Sequence, residues 1–135
     1  MNYEINIVVP KRIPTLIKQR YKGDCAVASL AMFLGISYDE IIKHYSEELE
    51  VMFENGVWDH KTFEVAEKYG VELTCVYKDF DFSKPSMLII PSFNLKDKNH
   101  MVFWDGEKVF DPSPAIVYKS KPENILYIFQ RYKEL

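Results

Sequence analysis

At 135 residues, 47% hydrophobic and 15% aromatic, the chain suits one folded domain with a single core and is too short for two ordinary ones. A net charge of −3, with 17 Lys and Arg scattered along the chain, leaves no basic footprint for nucleic acid. The opening MNYEINIVVP lacks the basic and apolar regions of a secretion signal, and no apolar run approaches the roughly 18 residues of a membrane span, so a soluble, cytoplasmic protein with no membrane partner is expected.

Along the chain, residues 3–9 (YEINIVV) read as a short strand ended by Pro10, and residues 10–24 read as a loop held irregular by Pro14, Gly23 and Asp24. From Cys25, the segment CAVASLAMFLG is apolar on nearly every side and stops at Gly35, the pattern of a buried central helix with a glycine C-cap. A second helix is expected from Ser37, capped by the serine hydroxyl with Glu40 reaching back, and amphipathic through Ile41, Ile42, Tyr45 and Leu49. A third covers about 59–69 and stops at Gly70.

The second half changes period. VELTCVY, MLII, HMVFW, KVF and AIVY are short β-branched or aromatic runs bounded by Pro, Gly, Asp or Lys, so this half is expected to be sheet. Residues 78–85 form a loop between runs, and the tail ENILYIFQRYKEL fits a strand as well as a helix. Cys75 alternates as a buried strand residue would, and Trp58 and Trp104 read as core or groove-wall aromatics. Without a secretion signal, both cysteines are expected as free thiols. No CxxC pair or zinc-like spacing among His44, His60 and His100 calls for a metal, and no cofactor is implied.

The chemistry concentrates on Cys25. A cysteine in the first turn of a buried helix meets unpaired backbone N–H groups and the positive end of the helix dipole, which favour thiolate. Asp105-Gly106 is a strong hairpin-turn signal, and a two-residue loop there would set Trp104 against Glu107 and His100 directly opposite Asp111. Cross-strand partners on one face lie close enough for a carboxylate to accept an imidazole N–H and fix its tautomer. A one-residue register shift would place the two side chains on opposite faces and separate the pair. Cys25 as nucleophile, His100 as general base and Asp111 as its orienting carboxylate follow. Gln19, six residues before Cys25, could bring its side-chain amide to a developing oxyanion beside the Cys25 N–H.

Gln19 through Gly35 (QRYKGDCAVASLAMFLG), with the later NHMVFWDGEKVFDP, resembles the bacteriocin-processing-type, C39-like peptidases of the papain-like superfamily. The resemblance implies an α+β fold over 1–135, with a helical first half packed on a C-terminal antiparallel sheet. It also implies an oxyanion-hole glutamine at Gln19, a nucleophile at Cys25, and a histidine and Asp-Pro pair at His100 and Asp111-Pro112. The chain departs from the family pattern at Ala26, where glycine is common, and the added methyl narrows the approach to the thiol. The expected activity is amide or isopeptide hydrolysis of a peptide or protein through an acyl-thioester. The alternatives are acyl transfer to an amine by the same three groups, and a silent papain-like module that grips a peptide without turnover.

Overall fold

The structure, a computed structural model, describes residues 16–47, 49–92, 98–113 and 122–132, with the backbone alone for 53–55. Helix α1 (Cys25–Leu34) buries every residue from Ala26 to Met32, so the domain is packed around it. Val27 and Leu30 are fully buried, and each contributes about 1.5–3 kcal/mol by leaving water. Gly35 ends the helix at φ 70°, in the left-handed region that a glycine adopts without strain.

Helix α2 (Tyr38–Ile42) begins where Ser37 caps it, the hydroxyl accepting the Glu40 N–H at 3.2 Å. The Glu40 carboxylate does not reach back; it lies near Lys43 at 3.3 Å and accepts from the Tyr69 hydroxyl at 3.4 Å. The expected continuous amphipathic helix is broken. A 3-10 turn (Lys43–Tyr45) follows α2, the chain turns at 46–47, and a separate helix α3 (Leu49–Asn55) begins. The change of direction seats the Met52 carbonyl against Gly23, where a Cβ would come within 1.7 Å of that oxygen. Helix α4 (Asp59–Lys68) ends near Gly70, as its spacing predicts.

Strands β1 (Leu73–Val76), β2 (Ser86–Pro91), β3 (Asn99–Trp104), β4 (Val109–Phe110) and β5 (Tyr127–Arg131) form an antiparallel sheet in the order β1-β5-β2-β3-β4. The ambiguous tail is therefore an interior strand. The strands expected over 3–9 and 115–118 lie outside the described residues.

Period-two alternation sorts the sheet's side chains into two cores. Met87, Ile89, Met101 and Phe129 pack with the helices, while Leu88, Ile90, Val102, Trp104 and Ile128 pack with Phe80 and Phe82 of the loop before β2. The Trp104 indole N–H donates to the Phe82 carbonyl at 2.8 Å, which fastens that loop. On the helical side, the buried Ser29 hydroxyl donates to the Met101 carbonyl at 2.9 Å and pins α1 to β3. The class is α+β, with helices in the first half packed on a C-terminal antiparallel sheet, as expected.

The β3–β4 hairpin corrects the expected register. Phe103 pairs with Phe110 and Trp104 with Val109, so the connection is four residues rather than two. Asp105 is the reason: its Oδ1 accepts the N–H groups of both Glu107 and Lys108 at 2.7 Å, while Gly106 takes φ 106°. The shift is two residues, so every side chain keeps its face.

Candidate active site

Cys25 occupies the first turn of α1, and the residue before it organises the approach. Asp24 is 0% exposed and does not cap the helix with its side chain. Its carboxylate turns back into the loop, Oδ2 accepting the Arg20 N–H at 2.9 Å and the Tyr38 hydroxyl at 2.5 Å, and Oδ1 the Tyr21 N–H at 3.0 Å. Three hydrogen bonds offset the cost of burying the carboxylate, and burial together with this contact pushes the Tyr38 phenol well above its ordinary pKa. With neither a side-chain cap nor an acidic residue in its first turn, α1 leaves its positive end to the thiol. The Met101 N–H donates to Cys25 Sγ at 3.4 Å, tying the sulfur to β3.

His100, at the start of β3, neighbours that contact. Its Nε2 and Asp111 Oδ1 lie 2.7 Å apart, with side chains only 11% and 2% exposed. In the observed register Asp111 is displaced by two positions from the expected partner site, and it reaches His100 because β4 stops at Phe110. Asp111 Oδ1 also accepts the Ser113 N–H at 2.8 Å, which curls the chain after the strand and holds the carboxylate in place. Burial opposes a charge on the imidazole, but hydrogen bonds to Asp111 and to Cys25 outweigh it and push the His100 pKa up to about 10. With Nε2 engaged by Asp111, Nδ1 is the ring nitrogen left for the thiol.

Gln19 lies in the loop before α1, and its backbone N–H donates to the Pro112 carbonyl at 3.0 Å. Its side-chain NH₂ group donates to the Tyr21 and Lys22 carbonyls at 2.7 and 3.3 Å. The structure thus joins the Gln19 loop to the Asp111 turn through the backbone, with both amide hydrogens engaged inside the loop.

Cys25 and His100 open into a cleft of about 480 Å³. Ala26 and Met101 form part of its lining near the thiol, and Gly56 to His60, Asn99 and Tyr127 extend it. Trp58 is the groove-wall aromatic, 66% exposed, whereas Trp104 belongs to the second core and does not line the cleft. A smaller apolar hollow of about 300 Å³, lined by Tyr45, Val51 and Met52, shares the Gly56–Trp58 rim. Asp24, Asp59 and Tyr127 were not marked by sequence reasoning. A Gly-Asp dipeptide reads as a turn, and the Tyr38 hydroxyl that meets Asp24 comes to it only through the fold.

Cys75 is half-buried on β1, its thiol pKa raised chiefly by burial, and both cysteines are free. Among the described residues, no group of three or more His, Cys, Asp or Glu could hold a metal ion, and no helix is long and apolar enough to cross a membrane.

No protein-family model matches the chain, and a search of curated proteins returns no match. Solved structures do. The chain is similar to a double-glycine-motif protease from an AMS/PCAT transporter, determined in complex with the leader peptide, at 19% identity over 87% of this chain and 89% of that one, with a TM-score of 0.63. It is also similar to the peptidase domain of Streptococcus ComA, a bifunctional ABC transporter involved in quorum sensing, at 18% identity over 85% and 95% of the two chains, with a TM-score of 0.63. The chain shares the fold of these two peptidase domains.

Proposed function

We propose that this domain is a cysteine peptidase of the C39-like kind, cleaving a peptide substrate at Cys25. The observation that carries the reading is His100 Nε2 lying 2.7 Å from Asp111 Oδ1 in the cleft that Cys25 opens into. Cys25 gives its proton to His100 and its sulfur attacks the carbonyl carbon, forming a tetrahedral oxyanion. The imidazolium, favoured by Asp111, then protonates the departing amine as the C–N bond breaks and leaves an acyl-thioester. Water, deprotonated by His100, adds to the thioester, and expulsion of the thiolate releases the acid.

The oxyanion would be met by the Cys25 N–H at the start of α1 and by the Gln19 amide. For Gln19 to donate, its weaker bond to the Lys22 carbonyl, at 3.3 Å, must be exchanged for the substrate oxygen. A leader-type peptide is the substrate class suggested by the AMS/PCAT neighbour, which was determined with one bound. Release of the acyl group to an amine rather than water would use the same residues.

The test is iodoacetamide labelling with peptide mapping at pH 6, where an ordinary thiol of pKa about 8.5 is almost wholly protonated. Cys25 should react at least about tenfold faster than Cys75, and His100→Ala should abolish the difference. Equal, His100-independent rates would remove the nucleophile from the proposal. The engagement of both Gln19 amide hydrogens inside the loop favours one rival, a peptide-binding domain without turnover. Retention of the biological effect by Cys25→Ala would select that rival.

A further inference from the structure

The cleft wall facing solvent carries a charge that the proposed bond-breaking machinery does not use. Asp59 is the first residue of α4, directly after the exposed Trp58, and both line the cleft with Cys25. One carboxylate oxygen of Asp59, Oδ2, accepts the Tyr127 hydroxyl at 2.8 Å. Tyr127 in turn interacts with Asn99, the neighbour of His100. Burial and the Asp59 contact push the Tyr127 phenol above its ordinary pKa, so it remains a hydrogen donor to the carboxylate. This chain links the start of α4 to β5 and β3 and orients the Asp59 side chain.

Asp59 is exposed and forms no ion pair among the described residues, although Lys98 lines the same cleft. Its carboxylate accepts the Tyr127 hydroxyl, and the exposed Trp58 indole, which meets the His60 ring edge-on at 5.6 Å, lines the same cleft. A carboxylate and an exposed indole in one cleft suit a cation: the carboxylate supplies charge and acceptor oxygens, and the indole a negative face. We infer that Trp58, Asp59 and Tyr127 form a substrate subsite for a basic group, a Lys or Arg side chain or a free amine, within the Cys25 cleft. The subsite rests on the peptidase reading, since it takes the occupant of the cleft to be a peptide.

The test uses Cys25 itself as the reporter and needs no known substrate. Modification rates are measured at pH 7 and low salt with cationic 2-aminoethyl methanethiosulfonate and anionic 2-sulfonatoethyl methanethiosulfonate, with mapping to separate Cys25 from Cys75. The cationic-to-anionic rate ratio, normalised to free cysteine, should fall about threefold in Asp59→Asn, and the difference should vanish in 0.5 M salt. Asp59→Asn keeps an acceptor for Tyr127; Trp58→Leu, at an exposed position, is a second variant that should also lower the ratio. An unchanged ratio in both variants overturns the subsite. The His100→Ala iodoacetamide experiment reads the peptidase proposal separately, so either can fail alone. For peptides that the protein cleaves, replacing one Lys by norleucine should raise KM in the wild type and leave it unchanged in Asp59→Asn; no such difference at any Lys position would also overturn the subsite.

Discussion

The backbone N–H of Gln19 donates to the carbonyl of Pro112 at 3.0 Å, so the loop leading to Cys25 and the turn carrying Asp111 are one hydrogen-bonded unit. The turn is held in part by the Ser113 N–H bond to Asp111 Oδ1. Asp111→Ala should therefore loosen a residue 92 positions earlier in the chain. Hydrogen exchange of the Gln19 amide is expected to quicken about tenfold, the equivalent of one hydrogen bond of about 1–1.5 kcal/mol. An unchanged Gln19 rate would mean that the two segments are held independently.

His100 links stability to pH. Its pKa is raised from an ordinary 6.5 to about 10, so folding favours the protonated ring. The stabilisation is fully present below about 6.5 and is lost as pH rises through about 10. The Tm difference between wild type and Asp111→Asn should accordingly be largest near pH 6, where about 1.5–3 kcal/mol is expected for a buried charge-assisted bond, and should shrink by pH 10.5. A difference that grows with pH would reverse this assignment.

Gly23 answers to sterics. A methyl there would meet the Met52 carbonyl at 1.7 Å and the Gly56 nitrogen at 2.9 Å, both backbone atoms that cannot swing aside. Gly23→Ala should cost about 2 kcal/mol or more in thermal or denaturant unfolding, by forcing α3 away from the loop. A Tm within a degree of wild type would show that the α3 contact is dispensable.

Tyr38→Phe removes one of three donors to the buried Asp24 carboxylate without changing shape elsewhere. The expected cost is about 1.5–3 kcal/mol, with faster amide exchange at Arg20 and Tyr21, the other two donors. If exchange at those two amides is unaffected, Asp24 does not order the loop.

The His100–Asp111 contact was readable because strand alternation forgives even errors. The Asp-Gly signal placed the hairpin two residues out of register, yet His100 and Asp111 still share a face, and the early end of β4 brings them together. The misreading came from Asp105, whose side chain binds two amides and widens the turn, a choice that dipeptide statistics do not reveal. Helix α3 went unseen because the apolar face assigned to the second helix already included Leu49, and the turn at 46–47 carries neither Gly nor Pro. Placing β5 between β1 and β2 required knowing which edges were open. Trp58 and Asp59 gained their meaning from the fold, which carries the start of α4 to the Cys25 cleft.

The position of β5 also sets an order of events during synthesis. Before Arg131 has left the ribosome, β1 lacks the neighbour it has in the finished sheet and β2 has one partner in place of two. Cys25, His100 and Asp111 are all translated before the strand that joins the two parts of the sheet and supplies Tyr127 to the cleft. Assembly of the complete cleft therefore waits on the last of the described strands in chain order, and a nascent chain paused just before it exposes open edges that a chaperone or a like strand could occupy.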